Sequence, residues 1–376
     1  MKVLFTGGGT AGHVNPALAM ASALQSYDPN IEILFVASAM PGDKANDLVP
    51  RMGYDLKKVN IRGLTRPIYS PSNITLPVAM LKSRREAKKI ITDFKPDLIV
   101  GTGGYACWPV VSMGATMGIP TAVHESNALP GKAILQVKKK VDKILLNFPE
   151  TADKMGLKPN DPRVVRVGNP YMADFEHITY EQAREQLGIP KDAPYVLSFG
   201  GSLGAARVNS AVMDMWETLT DEYPQAYFCH ATGKRGYEST AALAKEKGLT
   251  ANDRLALTDY IYDMPLRMAA ADVVVSRAGA MSVSELALMQ KAMVLIPSPH
   301  VADNHQYLNA MALQNKGAGL CVEEKTLQEG ALIQAVRSLL QDPERCLSMG
   351  KAALTHFGCP HANRRIAEEL LSMVKN

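Results

Sequence analysis

The first residues that could do chemistry stand just after an apolar run at the amino end of the chain. Gly7, Gly9 and Gly12 have the G-x-G-x-x-G spacing of a phosphate-binding loop, and His13 follows them directly. A glycine loop that leads into a helix offers backbone N–H groups and the positive end of the helix dipole, which suit a pyrophosphate. Alternatively, the glycines only allow the helix to pack closely on the preceding strand. His13 adds an imidazole, a side chain suited to proton transfer near neutral pH.

The residues downstream argue against a nicotinamide cofactor at this loop. Such a site needs an acidic residue at the end of the second strand, where it binds the ribose hydroxyls. The strand predicted over residues 31–38 leads into Ala39, while Glu32 comes too early and Asp43 too late. A P-loop is also disfavoured, because no Lys-Ser/Thr pair follows Gly12. The sequence therefore predicts a phosphate-handling loop without a bound cofactor.

The elements that must position this loop form a pattern that occurs twice. Short apolar segments alternate with segments of helical length, which predicts βαβ units and parallel sheets. The stretch VLFTGGGTAG at 3–12 is echoed by VLSFGGSLGA at 196–205, at an offset of 193 residues. We therefore predict an α/β protein with two Rossmann-like domains that face each other across a cleft. Gly168 and Pro170 interrupt the pattern and mark the boundary.

Composition limits the classes of function. The chain has 376 residues, of which 47% are hydrophobic and 21% charged, values typical of a soluble globular protein. A formal net charge of +4 is too mild to suggest nucleic acid as a partner. The five cysteines include no C-x-x-C pair, so we expect neither a zinc site nor a disulfide framework. The longest uncharged run, residues 98–123, is interrupted by glycines and prolines, so we expect no membrane span.

An ordered set of motifs extends over roughly the first 310 residues. The motifs are GGGTAGHVNPALA (7–19), GTGGY (101–105), HESNALPG (124–131), VGNP (167–170), GGSLGA (200–205), YIYDM (260–264), SRAGAMSVSE (276–285) and HQYLNA (305–310). In this order they resemble the MurG family, whose members transfer N-acetylglucosamine from UDP to the lipid-linked muramyl-pentapeptide precursor of peptidoglycan. The resemblance implies the GT-B fold, with two Rossmann-like domains and parallel sheets facing across a cleft.

The resemblance also implies what each domain does. Residues 1–168 would form the acceptor-side and membrane-side domain, and residues 169–360 the domain that binds the UDP-sugar. The last helix, at about 361–376, would pack back on the first domain.

The resemblance assigns the donor nucleotide to a loop in the second half of the chain. Glu285 matches the family's carboxylate that accepts hydrogen bonds from the ribose hydroxyls. Ser282 and Glu285 also have the S-x-x-E spacing of a helix capping box, which is the structural alternative. The residues that match the family's donor loop are Ala280, Met281, Ser282, Val283, Ser284 and Glu285.

Further substrate contacts follow from the resemblance. Ser202 matches the serine at the donor pyrophosphate, Ile261 the residue whose backbone meets the uracil, and Asn127 the residue that holds the sugar hydroxyls. His305 and Gln306 match a polar pair near the sugar. Core packing is the alternative for Ile261, and a polar surface loop is the alternative for the pair. The first glycine loop adds Thr10, Ala11 and Gly12 as substrate contacts.

Three positions depart from the family pattern. Met172 stands where the family commonly has an arginine soon after the GNP motif. Arg207 is displaced by one position relative to the family's phosphate loop. The first loop has Ala11 where the family is richer in glycine. These departures bear on the phosphate contacts and leave the candidate bases in place.

The implied reaction is attack of a sugar hydroxyl on the anomeric carbon of UDP-N-acetylglucosamine, with the inversion that is typical of the family. A base must take the hydroxyl proton, and positive charge must stabilise the departing diphosphate. His13 and Glu125 are equal candidates for the base. A hydrogen bond that fixes the glycine loop is the alternative role of His13. The chain has no D-x-D motif, so we expect no metal and no other cofactor.

A lipid acceptor requires a docking surface on the protein. The segment 74–90 joins apolar residues to five basic ones: Lys82, Arg84, Arg85, Lys88 and Lys89. This composition is typical of a helix that binds an anionic membrane surface, and a solvated basic face is the alternative. We predict a peripheral protein on the cytoplasmic face of the bacterial cell membrane. Its partners would be UDP-N-acetylglucosamine and undecaprenyl-pyrophosphoryl-muramyl-pentapeptide, without nucleic acid.

Other functions of the same architecture stay open. One is an isomerase of the UDP-N-acetylglucosamine 2-epimerase type, and another is a GT-B transferase with a soluble acceptor. A third is a nucleotide-sugar-binding protein without activity. The presence of His13, Asn127 and Glu285 argues against the third.

Overall fold

The computed structural model describes residues 1–61, 76–158, 160–171, 174–201, 204–249 and 254–374. The chain divides into two compact units. The first is formed by Met1–Tyr171 together with His361–Asn376, and the second by Met172–Pro360. The first unit therefore ends shortly after the predicted boundary at residue 168. Two residues singled out from the sequence, Met172 and Ser202, lie outside the described residues.

Strands alternate with helices along both units. The strands of the first unit are Lys2–Gly7 (β1), Glu32–Ser38 (β2), Asp55–Val59 (β3), Leu98–Gly103 (β4), Thr121–Glu125 (β5), Lys143–Leu146 (β6) and Val164–Arg166 (β7). Those of the second unit are Tyr195–Phe199 (β8), Tyr227–Ala231 (β9), Leu255–Thr258 (β10), Val273–Ser276 (β11), Ala292–Leu295 (β12) and Leu320–Cys321 (β13).

The helices fill the intervals between these strands. In the first half they are Ala11–Tyr27 (α1), Ala45–Arg51 (α2), Leu76–Phe94 (α3), Cys107–Thr116 (α4), Lys132–Val137 (α5), Thr151–Lys154 (α6), Asp174–His177 (α7) and Tyr180–Leu187 (α8). In the second half they are Ala206–Glu222 (α9), Tyr237–Glu246 (α10), Met264–Ala270 (α11), Ala280–Leu288 (α12), His305–Gln314 (α13), Ala331–Leu340 (α14), Pro343–Phe357 (α15) and Ala362–Ser372 (α16).

Each unit contains one parallel sheet, as the alternating pattern predicts. Within the described residues the first sheet has the order β3-β2-β1-β4-β5-β6-β7, and the second has the order β10-β9-β8-β11-β12-β13. The direction in which strands are added reverses between β1 and β4, and again between β8 and β11. In open α/β sheets, ligands bind outside the carboxyl ends of the strands at such a reversal. Both glycine loops follow a strand at one of these two points.

The first sheet is covered on both faces, which explains its nearly continuous apolar strands. Val3 and Phe5 of β1 belong to a buried cluster with residues of α1 and α16, whereas Leu4 belongs to a second cluster with residues of α3 and α4. From α16, Ile366 and Leu370 are fully buried in the first of these clusters. The last helix is therefore part of the first unit.

The second unit repeats this arrangement. Val196 of β8 and Val273 of β11 lie in one buried cluster with Trp216 of α9 and Val336 of α14. The side chain of Trp216 is almost fully buried, so α9 packs closely against this face of the sheet. As a result, the amino end of α9 is held at the carboxyl end of β8.

Among the helices of the described residues, none combines the length and the apolar character needed to cross a bilayer.

Candidate active site

The first glycine loop connects β1 to α1. Gly9 has a φ of +83°, a conformation that glycine adopts without strain. Thr10 is the N-cap of α1, and Ala11 is the first helical residue, with a negative φ. The methyl group of Ala11 is therefore compatible with the loop, although the family is richer in glycine here. Thr10 and Gly12 are exposed beside the helix N-terminus, where a substrate phosphate can approach.

His13 lies in the first turn of α1 and is half-buried. Its Nδ1 is 3.1 Å from the carbonyl oxygen of Gly8 and 3.3 Å from Oγ1 of Thr10. A carbonyl oxygen only accepts hydrogen bonds, so Nδ1 carries the proton and donates a hydrogen bond to the carbonyl oxygen of Gly8. In the neutral ring, the lone pair is then on Nε2. This is the tautomer that a base acting through Nε2 requires.

The motif GTGGY makes room for this histidine. A Cβ on Gly103 would lie 2.7 Å from Cδ2 of His13, and a Cβ on Gly104 would lie 2.2 Å from the carbonyl oxygen of Gly8. Both glycines have positive φ angles, +105° and +82°. The two residues at the end of β4 therefore need to be glycine for two reasons, the backbone conformation and the volume that the first loop occupies.

Glu125, the other candidate base, is buried at the end of β5. Its Oε1 accepts hydrogen bonds from the backbone N of Asn127 at 3.0 Å and from its Nδ2 at 3.3 Å, and its Oε2 accepts one from the backbone N of Gly131 at 2.7 Å. Burial raises the pKa of this carboxyl. Glu125 thus organises the loop that contains Asn127.

The neighbouring His124 is a structural residue. It is fully buried, and its Nε2 is 2.9 Å from the carbonyl oxygen of Gly168. Burial lowers its pKa to about 4, so it is neutral under ordinary conditions. Its hydrogen bond connects the end of β5 to the GNP motif.

The second unit has a cavity of about 480 Å³ at the carboxyl ends of β8 and β11. The first turns of α9 and α12 open into it, through Ala206 and Ser282 respectively. Two helix N-termini at one cavity create a strongly favourable site for an anion. The other polar and charged side chains that line the cavity are Arg207, Arg277, Ser298, His300, Gln306 and Glu324.

Two arginines add positive charge to this cavity. Arg277 donates from Nη2 to a carboxylate oxygen of Glu324 at 2.5 Å and from Nη1 to two backbone carbonyls at 3.2 Å. Arg207 is largely exposed, with its Nε 3.9 Å from the same carboxylate. Although Arg207 is displaced by one position relative to the family motif, it still lines the cavity. Glu324 therefore orients one arginine and faces the other.

Glu285 does not form a helix capping box with Ser282. Helix α12 begins at Ala280 with Gly279 as its N-cap, so Ser282 is already inside the helix. The capping-box alternative is therefore wrong. Burial raises the pKa of the Glu285 carboxyl to about 7. No hydrogen bond to this carboxyl is found among the described residues, which is the state expected of a carboxylate whose partners come from a ligand.

The other residues of the predicted donor loop divide between the cavity and the core. Ser282 lines the cavity, and Ala280 begins the helix whose N-terminus faces it. Val283 and Ser284 are buried, and the Ser284 hydroxyl donates to the carbonyl oxygen of Ala280 at 3.0 Å. Met281 is partly exposed. The structure therefore directs the side chains of Val283 and Ser284 away from the cavity, because they lie on the inner face of α12.

Of the remaining candidate substrate contacts in the second unit, one is buried, one lines the cavity and one begins a helix. Ile261 is buried, whereas its neighbours Tyr260 and Tyr262 are exposed and their rings meet edge to face with centroids 4.9 Å apart. Gln306 lines the cavity and accepts a hydrogen bond from the backbone N of Ser298 at 2.9 Å. His305 begins α13, and its Nδ1 is 2.8 Å from the carbonyl oxygen of Ala302.

Comparison with known proteins places these observations in a family. Residues 3–146 match the glycosyltransferase family 28 N-terminal domain, and residues 195–367 match the C-terminal domain of the same family. A UDP-N-acetylglucosamine–N-acetylmuramyl-(pentapeptide) pyrophosphoryl-undecaprenol N-acetylglucosamine transferase of Acetivibrio thermocellus is 40% identical over 376 residues, which cover 100% of this chain and 99% of that protein. An enzyme of the same name from Listeria welshimeri is 36% identical, with 100% of both chains covered.

The solved structures agree with this relationship. The crystal structure of MurG from Acinetobacter baumannii superposes with a TM-score of 0.79 and 26% identity, over 99% of each chain. The chain belongs to the MurG family. Its fold is accordingly GT-B, with two parallel-sheet α/β domains, and it is a glycosyltransferase.

The basic residues that the sequence analysis assigns to a membrane-binding segment lie on α3 of this MurG-family chain. Val78 and Leu81 are 70% and 52% exposed, and Lys82, Arg85, Lys88 and Lys89 are exposed as well. Spacings of three and four residues place all six on one stripe of the helix, while Ser83, Ala87 and Ile91 are buried on another face. Arg84 is only half-exposed, and its Nη2 is 3.5 Å from Oγ1 of Thr116.

Sequence reasoning missed several residues at these sites. Arg277 and Glu324 line the cavity, yet only residues 280–285 of the motif SRAGAMSVSE were assigned to the donor. Arg277 could have been found, because it lies three residues before the predicted donor loop in the same motif. Glu324 lies in a segment without a motif, so no signal pointed to it. The sequence shows Asp43 only as an acid placed too late for a nicotinamide site, and its contact with the first loop is visible only in the structure.

Proposed function

We propose that this enzyme transfers N-acetylglucosamine from UDP-N-acetylglucosamine to undecaprenyl-pyrophosphoryl-muramyl-pentapeptide, with inversion at the anomeric carbon. The product is the lipid-linked disaccharide of peptidoglycan synthesis. The observation that carries this proposal is the 40% identity to an enzyme of that name over the whole chain. The reaction requires a base for the acceptor hydroxyl and a positively charged site for the departing UDP, and the geometry offers candidates for both.

The donor binds in the cavity of the second unit. The N-termini of α9 and α12, with Arg207 and Arg277, provide positive charge for the diphosphate. Glu285 accepts hydrogen bonds from the ribose hydroxyls, Ile261 meets the uracil through its backbone, and Gln306 contacts the sugar. Ser202 at the phosphate loop and Asn127 at the sugar complete the proposed set. A volume of about 480 Å³ lies within the range of small-molecule sites.

His13 acts as the general base for the acceptor. Its Nε2 takes the proton of the acceptor hydroxyl while that oxygen forms a bond to the anomeric carbon of N-acetylglucosamine. The bond between this carbon and the phosphate oxygen of UDP breaks, and the electron pair leaves with UDP. Thr10, Ala11 and Gly12 place backbone groups of the helix N-terminus beside the acceptor phosphates. Positive charge from arginines and helix ends serves the leaving group, so the step needs no metal or other cofactor.

We further propose that α3 docks the enzyme on the cytoplasmic face of the bacterial cell membrane. Val78 and Leu81 would enter the boundary of the lipid layer, while Lys82, Arg85, Lys88 and Lys89 contact anionic head groups. Arg84 contributes less, because it is partly covered beside Thr116. Such docking brings a peripheral enzyme to an acceptor that stays in the membrane.

One assay tests the proposed activity. The purified enzyme is incubated with radiolabelled UDP-N-acetylglucosamine, with and without the lipid-linked muramyl-pentapeptide, and the label is counted in the organic and aqueous phases. We expect label in the organic phase only when the acceptor is present, together with an equal amount of UDP. Release of free sugar without acceptor would contradict the proposal and favour the isomerase alternative. Transfer to a soluble acceptor in preference to the lipid would favour the other alternative.

A further inference from the structure

A carboxylate without a role in the proposed reaction packs against the first glycine loop. Asp43 follows β2 and is 5% exposed. Its Oδ1 accepts hydrogen bonds from the backbone N of Gly9 at 2.7 Å and from the backbone N of Ala45 at 3.0 Å. Its Oδ2 lies against Gly8, where a Cβ would approach it to 2.6 Å. Asp43 is thus packed directly under the loop that leads to His13.

The contacts of Asp43 and His13 meet on the same peptide group. The carbonyl oxygen of Gly8 accepts the hydrogen bond from Nδ1 of His13 at 3.1 Å. The N–H of that same peptide unit belongs to Gly9, and it donates to Asp43 at 2.7 Å. Carboxylate, peptide and imidazole therefore form one continuous chain of hydrogen bonds.

We propose that Asp43 is a positioning residue for His13 and acts through the Gly8–Gly9 peptide. This inference rests on the proposed role of His13 as the base. The carboxylate fixes the orientation of the peptide, so its carbonyl points at Nδ1 and holds the ring in the Nδ1–H tautomer. Negative charge at the N–H end also polarises the amide and makes the carbonyl a stronger acceptor. In many enzymes a carboxylate hydrogen-bonds a catalytic histidine directly and orients its ring. Here Asp43 would orient His13 in the same way, but through a peptide group that lies between the two.

The surrounding glycines support this arrangement. Asp43 Oδ2 leaves no space for a side chain at Gly8, and Gly104 has no space for one because Gly8 lies against it. The peptide is therefore clamped between the carboxylate on one side and the end of β4 on the other. Oγ1 of Thr10 lies 3.3 Å from Nδ1 of His13, farther than the Gly8 carbonyl oxygen at 3.1 Å.

The test uses Asp43→Asn, an isosteric change that keeps an acceptor oxygen and removes the charge. We expect its kcat in the lipid-acceptor assay to fall on the order of 10- to 100-fold, while the KM for UDP-N-acetylglucosamine changes by less than about twofold. Asp142→Asn is the matched control. Asp142 also accepts hydrogen bonds from a backbone N and a hydroxyl, those of Thr121, but at the amino end of the same sheet. This control should keep the wild-type kcat.

A double-mutant cycle separates the peptide link from a general structural effect. In a His13→Ala background, Asp43→Asn should cost no further activity, because the residue acts through His13. Equal losses in both backgrounds, or an unchanged kcat in the single variant, would overturn the proposal. Near wild-type turnover of His13→Ala itself would instead refute the base assignment, so the two failures are distinguishable.

A spectroscopic measurement is independent of activity. The protein is labelled with ¹⁵N-histidine, and the His13 signal is assigned by its loss in His13→Ala. We expect the neutral ring to show the Nδ1–H tautomer in the wild type and a larger share of the Nε2–H tautomer in Asp43→Asn. A wild-type ring in the Nε2–H form would contradict the proposed chain of hydrogen bonds.

Discussion

Among single residues, the two carboxylates with raised pKa values have different surroundings and therefore different roles. Glu125 accepts hydrogen bonds from three donors of its own loop, so its negative charge is used inside the protein. Glu285 has a pKa raised to about 7 by burial, and none of the described residues donates a hydrogen bond to it. A partly buried carboxyl that accepts no hydrogen bond from the described residues is costly for the fold when it ionises. Ribose hydroxyls would supply the missing donors.

Glu285→Gln tests this role through the dependence of stability on pH. The ordinary pKa of 4.5 is raised to about 7, so the folded protein retains a proton that the unfolded chain loses between these values. Wild-type stability therefore falls as pH rises from about 4.5 through 7. The variant lacks this loss, so thermal unfolding should show a larger gain from Glu285→Gln at pH 8 than at pH 5.

The same variant should bind the donor more weakly. We expect an affinity for UDP-N-acetylglucosamine about tenfold lower at pH 8, because hydrogen bonds to a carboxylate are stronger than those to a neutral amide. Calorimetric titration measures this directly. An equal stability difference at both pH values, together with unchanged donor affinity, would refute the assignment of Glu285.

The residues of the first loop show how far sequence reasoning extends. The glycine loop and the position of His13 after it could be predicted from the sequence, because the local backbone conformation requires glycine at those positions. The contact between Asp43 and the first loop could not be predicted, because it depends on how the chain after β2 brings a residue distant in sequence under that loop. The Ser282–Glu285 capping box failed for a local reason, since α12 begins at Ala280 and places Ser282 inside the helix.

At the scale of elements, the fold class was predictable and is confirmed. Short apolar strands alternating with helices require parallel sheets, and the echo of residues 3–12 in residues 196–205 corresponds to β1 and β8, each followed by a glycine loop and a 17-residue helix. The strand order of the second sheet could not be predicted from the sequence, because a strand as short as Leu320–Cys321 shows no alternating pattern of apolar residues. The packing of α16 on the first unit came from the family resemblance, since the sequence pattern alone does not specify it.

Helix α3 yields a prediction at this scale. Replacing Lys82, Arg85, Lys88 and Lys89 by Gln removes four exposed charges from one stripe. Each basic residue near an anionic surface contributes about 1 kcal/mol, so co-sedimentation with vesicles containing anionic lipid should weaken on the order of 100-fold or more. The wild type should also lose binding as salt is raised, because exposed charges are screened.

The matched control variant loses the same number of positive charges, but from the surface of the second unit. Lys234, Arg235, Lys245 and Lys351 are exposed residues of the second unit, and their replacement by Gln should leave vesicle binding nearly unchanged. Equal losses in the two variants would mean that net charge alone drives the binding. Unchanged binding in the α3 variant would show that this helix is not the docking surface.

At the scale of the whole molecule, both units have a parallel sheet with a glycine loop at the reversal of strand order, but the side chains at the two reversals differ. In the first unit, the reversal between β1 and β4 holds a histidine in a defined tautomer. In the second, a cavity lined by two arginines and by the first turns of α9 and α12 lies at the reversal between β8 and β11. We propose that the first unit transfers the proton and the second binds the donor. Loss of the histidine should then affect turnover without affecting donor binding.

The most direct test of this division is the steady-state kcat and donor KM of His13→Ala with the lipid acceptor, beside the control His356→Ala. His356 is exposed near the end of α15 in the second unit, so its loss should change neither value. For His13→Ala we expect kcat to fall about 100-fold or more, with the KM for UDP-N-acetylglucosamine within about twofold of the wild type. A near wild-type kcat, or a loss confined to KM, would contradict the account.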